Sequence, residues 1–369
     1  MKNFLLVIIL FGIYSCTYFA SHLINYENLP SLNGKDGIGT QMFEWVDSTR
    51  AENFTINEND YRRLNIQIWY PADISNLNTK PVPYLNHPTK QIPAIAERLD
   101  IPSYLLANIK NIKTNAYLNA PIIKDQGLFP ILFFSHGLGG MKNQNSIQIE
   151  SLVLQGYIVI APDHAFDASI TVFSDGTIAD FRSGSEGIDT EEQFWKYRLP
   201  QLQNRTDDIN YIYNKIRLLS EGNNSLWSYI DIDKIGIFGH SFGGSTCIMV
   251  AHSNPEIDAV FLLDAWTLAV PQNVVDAGLN VPIMFMGQDK WENPINLIKL
   301  DTLLARSRQQ TDKIILKGAH HFDFSDIPHF TKLSKTFGVS GKMESNVLMD
   351  TINTSIISFF NKNLIEYEK

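Results

Sequence analysis

Seven short apolar runs constrain this chain more than any other feature. They are Ile66 to Tyr70, Pro130 to Ser135, Tyr157 to Ala161, Ile235 to Phe238, Ala259 to Leu263, Pro282 to Met286 and Lys313 to Leu316. Continuous Val/Ile/Phe runs, rather than alternating ones, predict strands buried on both faces. Helical stripes lie between and after them. Ile209, Ile212, Tyr213, Ile216 and Leu219 fall on one stripe, and Leu348, Ile352, Ile356, Phe359 and Phe360 on another. Alternating buried strands and helices predict an α/β fold with a mostly parallel sheet covered on both faces. An Asp175-Gly176 turn predicts a hairpin over 171–178. Residues 78–126 are long, Pro-rich and only partly helical, as expected of a cap inserted beside such a sheet. No internal repeat is present, and one domain is expected.

Charge and cysteine usage remove several function classes. The chain carries 30 Lys+Arg against 39 Asp+Glu, a formal charge of −9, with no basic run to neutralise phosphates. No nucleic-acid partner is expected. Two cysteines, Cys16 and Cys247, make no disulfide framework and no C-x-x-C metal motif. Cys16 closes a leader, MKNFLLVIILFGIYSC, with Lys2 as the positive region and Phe4 to Ile13 as the apolar core. This is the pattern of a bacterial lipoprotein signal, although Tyr14 stands where such signals carry a small residue. The alternatives are an ordinary cleaved signal or a retained anchor. All three predict export, either as a membrane-associated lipoprotein tethered through lipidated Cys16 or as a secreted protein. The expected organisation is a signal at 1–16, a polar lead-in at 17–40, and a catalytic domain at 41–369 with a cap region at 78–126.

Chemistry enters with Gly239-His240-Ser241-Phe242-Gly243, a G-x-S-x-G stretch between the strand Ile235 to Phe238 and a helix-compatible run. That strand–turn–helix setting points to a nucleophilic serine. The turn is so sharp that side chains at Gly239 and Gly243 would clash, and it aims the Ser241 hydroxyl off the sheet beside a helix N-terminus. A phosphate-binding turn would need G-x-G-x-x-G or a Lys-Ser/Thr pair, and neither occurs here. Upstream, His136-Gly137-Leu138-Gly139-Gly140 follows the strand Pro130 to Phe134. An H-G-x-G stretch there supplies an oxyanion donor, so the Leu138 and Phe242 backbone N–H groups are the expected pair.

A base belongs on the loop after the last strand, where His320 and His321 stand side by side. Periodicity does not choose between them. His164, within Asp163-His164-Ala165-Phe166-Asp167, is read as a satisfied polar cluster rather than a metal site. Two carboxylates at strand ends, Asp264 and Asp289, could each orient the histidine. Topology alone favours Asp289, because many such folds place the acid after the penultimate strand.

SHGLGG at 135–140, GHSFGGST at 239–246, LLDAW at 262–266, NPINLIK at 293–299 and GAHHFDFSD at 318–326 carry a family likeness. VDSTR at 46–50 and QIWYPA at 67–72 extend it, so it runs from about residue 40 to the C-terminus. The chain resembles the plasma-type (group II) platelet-activating-factor acetylhydrolases and their bacterial relatives. That resemblance implies an α/β-hydrolase fold, no cofactor and no metal. It implies Ser241 as nucleophile, Asp264 in place of Asp289 as acid, and His321, ahead of Phe324 and Asp326, as base. The implied substrate is a small-molecule or lipid ester with a short acyl group, including the sn-2 acetyl of ether phospholipids. A broad carboxylesterase for polyester, xenobiotic or acetylated-sugar esters would share these residues. A non-catalytic lipid-binding lipoprotein is the alternative of another class.

Overall fold

The structure, a computed structural model, describes residues 24, 26–32, 34, 36–57, 59–184, 187–222 and 226–366. The leader, Cys16 and most of the lead-in's first half therefore lie outside the described residues. Eleven strands are present among them: β1 (Gly37–Ala51), β2 (Tyr61–Ala72), β3 (Ala116–Leu118), β4 (Phe129–Ser135), β5 (Ile158–Asp163), β6 (Ile170–Val172), β7 (Ile178–Asp180), β8 (Ile230–His240), β9 (Ala259–Leu263), β10 (Ile283–Gln288) and β11 (Thr311–Leu316). The helices are α1 (Pro88–Arg98), α2 (Ser146–Val153), α3 (Glu191–Ser220), α4 (Phe242–Ser253), α5 (Gln272–Ala277), α6 (Ile295–Arg306), α7 (Ile327–Phe330), α8 (Leu333–Thr336) and α9 (Ser345–Phe360).

Nine strands join in the order β11-β10-β9-β8-β4-β5-β2-β1-β3. The six from β11 to β5 are parallel, and β2 pairs antiparallel with both β5 and β1. Each predicted run falls on one of these strands, with Tyr157 and Pro282 one residue ahead of β5 and β10. The side-chain alternation of a strand then sorts the core into two layers. Along β4, Ile131 and Phe133 face one layer, while Leu132 and Phe134 face the other. The first layer is closed by the α3 stripe (Ile209, Ile212, Tyr213, Ile216) and by Ile248 and Val250 of α4. The second is closed by Ile149 and Leu152 of α2 and by the full α9 stripe from Leu348 to Phe360. Each such side chain taken from water contributes about 1.5–3 kcal/mol, so both faces of the sheet are firmly covered. Helix α3 is started by a capping box, in which Thr190 Oγ1 accepts from the Gln193 amide and Gln193 Oε1 accepts from the Thr190 amide. Such a cap is worth about 1 kcal/mol. The predicted hairpin forms as β6 and β7, with Gly176 at φ 83° in its turn.

Two features differ from expectation. The sheet begins at Gly37, inside the stretch read as lead-in, because Gly37 to Thr40 pair with β2 and are buried. Ahead of it, described residues of the lead-in are built into the molecule. Leu29 is buried, Tyr26 Oη donates to the Leu105 carbonyl at 3.0 Å, and the Glu27 amide donates to the Phe330 carbonyl at 3.0 Å. Secondly, the region read as cap contributes β3 to the sheet edge beside β1. The rest of it holds α1 and a 3-10 helix at Ser103–Asn111.

Candidate active site

The parallel strands β8, β9 and β10 end side by side, and the candidate residues hang from those ends. Ser241 follows β8 directly and caps α4. Its backbone is held at φ 56° and ψ −120°, a conformation that costs a non-glycine residue roughly 1–3 kcal/mol. Main-chain bonds on both sides hold it there: the Ser241 amide donates to the Leu263 carbonyl, and the Trp266 amide donates to the Ser241 carbonyl. The two glycines of the motif are required by contact. A Cβ on Gly243 would lie 1.9 Å from the Ser135 carbonyl oxygen, and one on Gly239 would lie 2.6 Å from the Gly243 backbone.

His321 opens a 3-10 turn, His321–Phe324, beyond β11. Its Nε2 lies 2.8 Å from Ser241 Oγ, and its Nδ1 lies 2.6 Å from Asp264 Oδ2. His320 faces elsewhere, with Nδ1 bonded to the Gly338 carbonyl at 3.0 Å. The choice that periodicity left open is thus made by the turn. Phe324 is buried in the second core layer, and the Asp326 carboxylate accepts from the Ser146 and Ile147 amides at 2.7 and 3.1 Å, capping α2. Those two anchors leave His321 facing Ser241.

Asp264 is fully buried and sits at φ 42° just past β9, on the strand next to the one that carries Ser241. It accepts from Gln288 Nε2 (2.8 Å), the Gln288 amide (3.1 Å) and Trp291 Nε1 (3.0 Å) in addition to His321. Asp289, which topology alone favoured, lies one strand further away and accepts instead from the Gly318 amide at 3.3 Å. Adjacent strands lie about 4.8 Å apart, and that one-strand step decides which carboxylate reaches the histidine.

The Gly137–Gly140 turn packs beside the serine, and a Cβ on Gly137 would lie 3.3 Å from Ser241 Cβ. Leu138 lines the same cavity as Ser241. Phe242 opens α4, where first-turn amides have no partner within the helix. Arg205 holds the turn from behind: Nη1 donates to the His136 carbonyl at 2.7 Å and Nε to Asp167 Oδ2 at 2.7 Å, while the Gly139 amide donates to the Asp167 carbonyl. His164 lies in this buried polar network, bonded to Ser135 Oγ and to Asp208, as the polar-cluster reading expected. Burial and the Arg205 charge push its pKa down to about 4, so it is neutral. Asp208 is itself held by Arg62 at 2.7 Å, which keeps its carboxyl far below the usual carboxylate range despite burial.

Sequence reasoning missed Gln288, Trp291 and Arg205. One signal was available for Arg205. It precedes Ile209 by four residues on the α3 stripe, and a charged residue on a buried stripe needs a partner inside.

A cavity of about 420 Å³ opens onto Ser241 and His321. Its walls are almost wholly apolar and come from the lead-in, α1, the 3-10 helix and the α7–α8 region, with Tyr26, Leu99, Leu106, Ile109, Phe330 and Phe337 among the lining residues. That is the size and polarity of a small-ligand site.

Comparison with solved structures supports the fold. Ferulic acid esterase from Streptomyces cinnamoneus superposes with a TM-score of 0.73 at 19% identity, covering 93% of this chain and 94% of that one. A dienelactone hydrolase-like promiscuous phosphotriesterase, P91, from metagenomic libraries superposes at 0.51 with 10% identity, covering 89% and 99%. These likenesses establish the α/β-hydrolase fold. Among curated proteins, platelet-activating factor acetylhydrolase of Gallus gallus is 26% identical over 265 residues, covering 64% of this chain and 62% of the relative. That of Cavia porcellus is 26% identical over 297 residues, covering 73% and 66%. The matched region thus spans under two thirds of these relatives' length. The family model for platelet-activating factor acetylhydrolase, isoform II, matches residues 24–369. On that match, the chain belongs to the platelet-activating factor acetylhydrolase isoform II family.

Proposed function

We propose that the protein is a serine esterase that hydrolyses short-chain acyl esters, with the sn-2 acetyl or short acyl group of a phospholipid as its substrate class. The observation that carries this reading is the unbroken chain Ser241 Oγ–His321 Nε2, His321 Nδ1–Asp264 Oδ2 at the base of an apolar cavity. His321 takes the Ser241 proton as Oγ attacks the acyl carbonyl, then returns it to the leaving alcohol. Asp264 holds the Nδ1–H tautomer and stabilises the imidazolium. The Leu138 and Phe242 amides receive the oxyanion. Water then repeats the cycle on the acyl-enzyme. Family membership supports the lipid ester over other esters.

The same reading assigns 41–369 as the catalytic domain, with 78–126 as part of its cap, and lipidated Cys16 as the tether of an exported enzyme. Among the described residues no helix is long and apolar enough to cross a membrane. Loss of metabolic palmitate labelling in Cys16→Ala is the expected result for the tether, and equal labelling in both forms contradicts it.

Ser241→Ala should lower turnover of p-nitrophenyl acetate by about 10⁴–10⁶-fold with an unchanged circular dichroism spectrum. Retained turnover contradicts the proposal. Acetyl, butyryl and octanoyl esters, assayed beside a short-acyl phospholipid, test the substrate class. Hydrolysis of the small esters with no action on the phospholipid favours a broad carboxylesterase.

A further inference from the structure

Gln144 and His240 meet where the three active segments converge, and neither is used by the mechanism above. The Gly137 amide, one residue before Leu138, donates to Gln144 Oε1 at 3.2 Å. That contact fixes which end of the Gln144 amide group faces the oxyanion turn. Its nitrogen must therefore face the other way, and Nε2 lies 2.9 Å from His240 Nδ1. An amide nitrogen only donates, so His240 Nδ1 accepts. The remaining ring proton is then on Nε2, which lies 3.0 Å from the His321 carbonyl oxygen and donates to it. The His240 and His321 rings also pack with centroids 4.5 Å apart. Finally, the Asp326 amide donates to the Gln144 main-chain carbonyl at 2.9 Å, tying down the chain two residues beyond the His321 turn.

Space has been cleared for this chain of bonds. A Cβ on Gly140 would lie 1.8 Å from Gln144 Oε1. His240 is buried, and both burial and the neighbouring His321 push its pKa well below the ordinary histidine range, consistent with the single-proton tautomer that its partners demand. With both ring nitrogens engaged, His240 has no free position from which to act on a substrate.

We infer that Gln144 and His240 form a positioning relay that sets the oxyanion turn and the His321 turn against Ser241 in one register. Gln144 fixes the Gly137 amide and the His240 tautomer together, and His240 passes that constraint to the main chain of His321. Neither residue hydrogen-bonds to Ser241 Oγ or to a ring nitrogen of His321, although His240 packs on that ring. The inference rests on the serine-esterase reading. The relay sets geometry rather than binding, so its loss should fall on kcat, because a misplacement of about 1 Å costs up to about 100-fold.

Two variants test it. Gln144→Leu removes the amide's bonds to Gly137 and His240, together with one from Nε2 to Asn145 Oδ1 (3.1 Å), at similar volume. Gln144→Glu keeps an acceptor for the Gly137 amide but offers His240 no donor, and it draws the ring proton to Nδ1, away from the His321 carbonyl. Each variant should lower kcat for p-nitrophenyl acetate at least about tenfold, with KM within about threefold of wild type at temperatures well below melting. The rate of Ser241 phosphonylation by an organophosphonate should fall in parallel. A smaller loss of kcat in a folded variant, or a loss confined to KM, overturns the relay. If Gln144→Leu fails to fold, the near-isosteric Glu variant decides by the same criterion. Ser241→Ala, run alongside, separates the two levels: activity in that variant breaks the esterase reading itself, whereas an inert Ser241→Ala with fully active Gln144 variants breaks only the relay.

Discussion

The floor and the walls of the cavity are built differently. The floor is carried on the ends of β8 and β9 and on turns bonded to them, and its atoms are fixed by main-chain hydrogen bonds, strained backbone and glycine contacts. The walls come from the lead-in, one three-turn helix, a 3-10 helix and the one-turn helices α7 and α8, which meet mainly through apolar side chains. Directional bonds fix positions to fractions of an ångström, whereas apolar contacts fix volume and exclude water. The floor is therefore where chemistry should be lost on substitution, and the walls are where selectivity should move.

The largest effect expected after removal of Ser241 separates the two carboxylates on the floor. Asp264→Asn should lower kcat by about 10³–10⁴-fold, because the amide favours the wrong histidine tautomer, while Asp289→Asn stays near wild type. Steady-state kinetics on p-nitrophenyl acetate check this, and the reverse ranking would move the acid to β10. A wall substitution should behave otherwise. Tyr26 lines the cavity, and burial pushes its hydroxyl up to about 12. Tyr26→Ala should leave kcat for the acetyl ester nearly unchanged and change the octanoyl-to-acetyl ratio of kcat/KM by roughly tenfold. A uniform loss across acyl lengths would place Tyr26 with the floor.

The smallest effect concerns Glu150, on α2 behind the wall, which accepts from the Asn115 amide and from Asn115 Nδ2. Burial raises its pKa from 4.5 to about 7. The folded state then binds more protons than the unfolded state between those values. The stability Glu150 lends is complete below 4.5 and is lost as pH rises through about 7. Glu150→Gln should flatten that part of the melting-temperature profile by roughly a few degrees, and an unchanged slope would contradict the assignment.

The floor was largely legible in the sequence because each part of it is local. Glycines flanking Ser241, the glycine turn at 137–140 and the carboxylates at strand ends all mark sharp turns at the ends of buried strands. The choice of Asp264 over Asp289 depends on which strands are neighbours, and strand order is not written in any one run; the family resemblance supplied it. Gln144, Gln288 and Trp291 carried no local signal, since each acts across a turn on a residue far along the chain. Strand β1 was missed because only its first four residues are uniformly buried, and the remainder mixes exposed polar with half-buried positions. The walls were the least legible. Their apolar residues, such as Leu29, Leu106 and Phe330, are spread over short elements too irregular to show a period.

One measurement tests the central claim most directly. A p-nitrophenyl organophosphonate incubated with the intact protein should release one equivalent of p-nitrophenol and leave one adduct per chain, mapped by peptide mass spectrometry to Ser241, with ester hydrolysis lost in proportion. An adduct at another residue, or full ester hydrolysis by protein whose Ser241 is completely phosphonylated, would contradict the account.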